Sequence, residues 1–146
     1  MANPMIPQGT LNRLRGSVNF PTNSELNVTA PYLGKGGITF SLEGEAVTYI
    51  PTMSGAVTSP EPYMMCKCVI NLLKTQNLSD VYKRQMELTA LVGDFVVTPD
   101  ASTLSTYYIN NASIESVKEL PFNGTDAGYA VTLSGYYLVN SQSWSI

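Results

Sequence analysis

The sequence predicts a mainly β (α+β) fold: two packed antiparallel sheets or an open barrel, with one flanking helix after the longest strand. Three observations carry this expectation. About seven or eight runs alternate apolar and polar residues with period two and stop at Pro, Gly or Asn, the pattern of half-buried strands. The run at 63–74 is the longest of them. Directly after it the period lengthens to that of a helix, over 76–91. A chain of 146 residues suits one domain with one hydrophobic core, and no internal repeat or second domain is visible.

Residues 1–16 read as an extended N-terminal arm. Pro4, Pro7 and Gly9 break local structure, while Met5, Ile6, Leu11 and Leu14 are isolated apolar anchors. Strand-like alternation begins at 17–20 and ends at Pro21. It resumes over 26–30 and ends at Pro31. Gly34, Lys35, Gly36 and Gly37 read as a turn before Ile38, Phe40 and Leu42, which share one face of a strand. Residues 46–50 form a further short strand. The segment 51–62 holds Pro51, Gly55, Pro60 and Pro62, so a protruding loop or loose hairpin is expected there.

In the long strand, Met64, Cys66, Cys68, Ile70 and Leu72 fall on one face, apolar throughout; the other face is mixed. The helical segment places Leu78, Val81, Tyr82, Met86 and Leu88 on one side and Asp80, Lys83, Arg84 and Glu87 opposite. Asn77 is the expected N-cap, and Gly93 lies just past the expected end. Residues 79–85 coincide with the translation of a transposon end used in sequencing libraries. They nevertheless keep the apolar stripe in phase, and the expectation for them is structural. Strands follow at 94–98, at 107–117 (one strand or a pair) and at 129–139, the last after a turn at 123–128.

Composition narrows the function classes. Charged residues make up only 13% of the chain, about half the globular average, so much of its Ser-, Thr-, Asn- and Tyr-rich surface is expected to face other protein. The net charge is −3, and the longest basic feature is Lys83-Arg84. Sequence-reading nucleic-acid binding is therefore not expected. No run of 18 apolar residues occurs, so no membrane span is expected; residues 1–15 lack the apolar centre of a secretory signal. The sequons at Asn27, Asn77, Asn111 and Asn123 reflect Asn/Ser/Thr-rich composition.

The chain has no His, which removes the commonest general base and metal ligand. Cys66 and Cys68 cannot complete a zinc site on their own and read as small buried hydrophobes. The 34–37 glycines lack phosphate-loop spacing. Glu43, Glu45, Asp94, Asp100, Glu115, Glu119 and Asp126 are scattered acids with no paired spacing. No catalytic, cofactor-binding or metal residue is expected, and no cofactor. Tyr107-Tyr108 and Tyr136-Tyr137 each direct one ring to the core and one outward, and outward tyrosines make good contact residues.

Several segments taken in order resemble the tail tube protein of contractile-tailed bacteriophages. The start, Met1-Ala-Asn-Pro-Met-Ile-Pro-Gln-Gly-Thr-Leu-Asn-Arg-Leu-Arg15, resembles that family's N-terminal arm. Leu33-Gly-Lys-Gly-Gly-Ile38 and Thr52-Met-Ser-Gly-Ala-Val-Thr-Ser-Pro-Glu61 resemble its glycine turn and protruding hairpin loop. The strand into Ile70-Asn-Leu-Leu-Lys-Thr-Gln76 feeds a helix, and Asp126-Ala-Gly-Tyr-Ala-Val-Thr-Leu-Ser-Gly-Tyr-Tyr137 resembles the last strand.

The resemblance implies a virion structural subunit, assembled in the bacterial host cytoplasm, whose homo-hexameric rings stack into a hollow tube inside a contractile sheath. Type VI secretion and bacteriocin tubes share this design. Its partners would be copies of itself and the sheath, baseplate hub and tail terminator proteins. DNA would pass the lumen without sequence-specific binding. Subunit contacts would fall on Met5, Ile6, Leu11 and Leu14 of the arm, Met53 and Val57 of the loop, and Tyr63, Tyr108, Tyr136 and Trp144. The alternatives are another ring-forming tail component (terminator or baseplate hub) and a carbohydrate-binding β-sandwich.

Overall fold

A computed structural model describes residues 3–118 and 120–144. Met1 and Ala2 of the expected arm, and Glu119 among the scattered acids, lie outside the described residues. The elements are β1 (Ser17–Asn19), β2 (Leu33–Glu43), β3 (Val47–Pro51), β4 (Ala56–Pro60), β5 (Tyr63–Leu73), α1 (Asn77–Leu88), β6 (Leu91–Thr98), β7 (Tyr107–Val117) and β8 (Gly128–Leu138). The fold is mainly β with one helix after β5, as the periodicity predicts. Six strands form one antiparallel sheet in the order β1-β6-β7-β8-β5-β2, and β3-β4 is a separate two-stranded sheet.

The large sheet curls. In a flat sheet β2 and β7 would stand about 14 Å apart, three strand spacings. Here the Phe40 ring of β2 lies 4.9 Å from Tyr107 of β7, and Tyr107 lies 5.6 Å from Tyr137 of β8. The concave face carries the core. Cys66, Cys68, Ile70 and Leu72 of β5 pair across the ladder with Gly135, Leu133, Val131 and Tyr129 of β8, and all eight are buried. Each large apolar side chain so buried contributes about 1.5–3 kcal/mol before the entropy cost.

Two segments close the concave side. Val18, Phe20, Leu26 and Val28 come from the N-terminal part, and Leu78 and Tyr82 from α1. The Tyr82 hydroxyl is buried and donates to the Leu26 carbonyl at 2.7 Å, joining the two lids. Ser79 donates to the Leu73 carbonyl at 2.6 Å, and Gln85 to the Leu91 carbonyl at 3.1 Å. Residues of the 79–85 segment thus hold α1 to its neighbours.

Four local expectations change. Residues 26–30 are not a strand: two 3-10 turns, Ser24–Leu26 and Ala30–Tyr32, flank a single bridge between Val28 and Val18. The Asn27 side chain accepts the Phe20 amide at 2.7 Å, in competition with a regular ladder. The 34–37 glycines are not a turn but a bulge inside edge strand β2, between Leu33 and Ile38. Gly37 has φ +62 there, and its carbonyl accepts the Asn71 side chain at 3.0 Å.

Asn77 is the first helical residue and Gln76 the cap position; α1 ends at Leu88 with Thr89 as its C-cap. Gly93, with φ +81, belongs instead to a bulge of β6. The apolar stripe is only partly covered: Leu78 and Tyr82 are buried, while Met86 and Leu88 are exposed.

Candidate assembly surface

Strand direction decides where the candidate contact residues emerge. β5 begins, β8 ends and β7 begins at one end of the large sheet, since Tyr63 pairs with Leu138 and Asn110 with Tyr136. The β2–β5 connection leaves from the same end, and that connection is the β3-β4 hairpin.

The 51–62 segment is built as a hairpin. Its second half is β4, paired with β3 from Val47–Pro60 to Pro51–Ala56. The tip closes with the Thr52 amide donating to the Gly55 carbonyl at 2.8 Å. At the base, the Asn140 side-chain amide donates to the carbonyls of Ala46 (2.9 Å) and Glu61 (2.8 Å), and Thr48 donates to the Glu61 carboxylate at 3.1 Å. Beyond that base the hairpin contributes nothing to the core. Tyr49, Ile50, Met53 and Val57 are exposed on it.

The arm is held to the body by the Asn12 amide, which donates to the Asp100 carbonyl at 3.1 Å. Met5, Ile6, Leu11 and Leu14 are all exposed. Leu14 lines a groove of about 800 Å³ together with Leu33, Phe40, Val97, Leu104 and Tyr107, along the open side of the curled sheet.

The tyrosines divide as the alternation requires. Tyr107 and Tyr137 turn inward against the core, and Tyr108 turns outward at 63% exposure. Tyr136 also turns outward but is half-buried, because Tyr63 meets its ring at 5.8 Å in an edge contact. Tyr63, Met65 and Leu138 are exposed beside it, so the convex face ends in an apolar patch. Trp144 is exposed in the 3-10 turn Ser141–Trp144 that follows β8. The tyrosine patch and the hairpin therefore share one end of the sheet, whereas the sequence presents their residues as separate stretches.

The rest of the convex face differs from that end. Ser41, Lys67, Ser134 and Ser113 stand in one row across β2, β5, β8 and β7. Thr39, Val69, Thr132 and Ser116 form the next row. Lys67 is bracketed by carboxylates from two other strands, Glu115 at 3.3 Å and Glu43 at 3.7 Å. The hydrogen bond and charge of Glu115, and then Glu43, raise the Lys67 ammonium pKa above its ordinary value. This triad is exposed and carries one net negative charge. Sequence reading missed it because Glu43 and Glu115 look scattered along the chain, and no local spacing announces that β2, β5 and β7 bring them to one cation.

The cysteines offer no reactive thiolate near neutrality. Burial pushes Cys66 up to about 11 and Cys68 up to about 12. Among the described residues, no group of three His, Cys, Asp or Glu side chains is placed to hold a metal ion. No helix among them is long and apolar enough to cross a membrane.

No family model, curated protein or solved structure matches the chain.

Proposed function

We propose that this chain is a structural subunit that self-assembles into stacked rings, forming a hollow tail tube of the contractile-phage type through which DNA is delivered. The observation that carries the proposal is the β3-β4 hairpin. An isolated two-stranded hairpin is marginal in water. This one is tethered at its base and displays Tyr49, Ile50, Met53 and Val57 to solvent. Covering those side chains with another subunit removes the cost of their exposure. The arm repeats the pattern with Met5, Ile6, Leu11 and Leu14.

The convex face supports the second half of the reading. Rows of Ser and Thr, with one cation neutralised by two carboxylates, make a surface that a polyanion passes without adhering. A heterologous contact from hairpin or arm to a different patch on the next copy builds closed rings or open stacks, depending on its geometry.

Negative-stain electron microscopy of the purified protein across a concentration series tests the proposal. Hollow tubes or stacked rings of uniform diameter are expected, and Met53→Asp with Val57→Asp should abolish them while leaving the circular-dichroism spectrum unchanged. A single closed ring that never stacks would replace the tube with another ring-forming tail component, a terminator or hub. A chain that stays monomeric at high concentration overturns self-assembly, and glycan binding by that monomer would support the sugar-binding reading.

A further inference from the structure

We propose that Asn123-Gly124 is a site of succinimide formation, at which the fold accelerates conversion of the Asn123 side-chain amide to an aspartyl or isoaspartyl linkage. The pair lies in the loop between β7 and β8. Asn123, Gly124, Thr125 and Asp126 are all exposed there. No other asparagine of the chain is followed by glycine. Gly124 has φ +77 and stands in open space, where an added Cβ would meet nothing within 4 Å, and as glycine it carries no side chain of its own to shield its backbone nitrogen.

The surroundings of the Asn123 carbonyl oxygen add the second element. Its Oδ1 accepts the Thr125 amide at 3.0 Å, the Thr125 hydroxyl at 3.0 Å and the Asp126 amide at 3.2 Å. Three donors on one amide oxygen withdraw electron density from Cγ. They are also in place for the negative charge that develops on Oδ1 when Cγ is attacked, as in an oxyanion hole. The side-chain oxygens of Asn3, Asn12 and Asn27 each accept one backbone amide, and Asn23, Asn71 and Asn140 donate through Nδ2 to backbone carbonyls, whereas Asn123 Oδ1 gathers three donors.

The chemistry needs only water and hydroxide. Hydroxide takes the proton from the Gly124 nitrogen, and that nitrogen bonds to Asn123 Cγ. The tetrahedral adduct collapses as the Cγ–Nδ2 bond breaks, and ammonia leaves with a proton from water. The resulting five-membered imide joins Cγ and the Asn123 main-chain carbonyl through one nitrogen. Water then adds to either carbonyl and breaks its C–N bond. Opening at one gives aspartate, and at the other isoaspartate with the main chain running through the side chain. Nothing is oxidised or reduced.

Each product brings a new carboxylate to a loop that also clasps a lysine. Lys74 donates its ammonium to the Pro121 carbonyl and lies 5.7 Å from the Phe122 ring. Lys118 and Asp126 line the adjoining cavity of about 490 Å³. Conversion therefore adds negative charge and, in the isoaspartyl form, one extra main-chain carbon to the connection between two central strands.

The test is to hold the folded protein in mildly alkaline buffer and follow residue 123 by peptide-mapping mass spectrometry with isoaspartyl-specific enzymatic methylation. The same chain in concentrated urea is the reference, and Asn123→Gln and Thr125→Val are the variants. Conversion at 123 several-fold faster in the folded chain than in urea is expected, slowed in Thr125→Val and absent in Asn123→Gln. Native circular dichroism of both variants ensures that the comparison is between folded proteins. Conversion in the folded chain no faster than in urea, or unchanged by Thr125→Val, overturns the proposal.

Discussion

Gly135 occupies a core-facing position of β8 that tolerates no side chain. A methyl group there would lie 2.6 Å from Ile109 Cγ2 and 3.0 Å from the Asn110 carbonyl. Gly135→Ala should therefore overpack the sheet and cost about 1–3 kcal/mol, read as a lower urea midpoint with an unchanged slope. Cys66 and Cys68 lead to a pH dependence. Their folded pKa values, about 11 and about 12, stand above the ordinary 9.0. Above pH 9 the unfolded chain loses thiol protons that the folded chain keeps, so their contribution is full below that pH and falls as pH rises through about 11 and on to about 12. Relative to wild type, the Cys66→Val/Cys68→Val protein should gain stability between pH 9 and 11 in thermal melts. The shared face of the two thiols was legible from their i, i+2 spacing. The crowding at Gly135 was not, because Ile109 and Asn110 reach it only through the β7–β8 pairing.

Elements were legible wherever a period ran long enough. β5 and β8 show strict alternation, and the observed burial follows it from Cys66 to Leu72 and from Tyr129 to Gly135. The errors fell where side chains or glycines act on the backbone. Asn27 converts a strand-like stretch into a single bridge, and Gly37 and Gly93 bend strands through positive φ. The hairpin depends on a contact the sequence hides, since Asn140 supplies two of the hydrogen bonds at its base. Asn140 itself has φ +54, a conformation that asparagine tolerates better than most residues. Asn140→Ala removes the two bonds and adds strain, about 1–3 kcal/mol in all. Amide hydrogen exchange should quicken across β3 and β4, with little change in β5 and β8. Asn140→Gly keeps the conformation and loses the bonds, so it should show the same exchange at a smaller stability cost.

For the whole molecule, curling gathers the core on the concave face and leaves the convex face to the Ser/Thr rows and the Lys67 triad. That arrangement yields an electrostatic expectation. Glu43→Gln with Glu115→Gln would leave Lys67 unpaired and raise the net charge of the face by two, turning it from repelling to attracting a polyanion. The double variant should focus at a higher pH than wild type in isoelectric focusing and keep its thermal stability, because exposed ion pairs contribute little. Neither protein as a monomer should shift double-stranded DNA, since one lysine makes too few phosphate contacts.

The sequence by itself determined the fold class, the single helix and its place, the inward faces of β5 and β8, and the apolar residues of arm and hairpin. These follow from periodicity and from Pro and Gly, which act over a few residues. Only the tertiary structure decided that the tyrosine patch and the hairpin leave from one end of the sheet, that the 34–37 glycines bend an edge strand, and that Glu43 and Glu115 meet at Lys67. Those features depend on strand order and register between segments far apart in the chain, such as Tyr63 and Leu138, which pairing and core packing select together and no local pattern encodes.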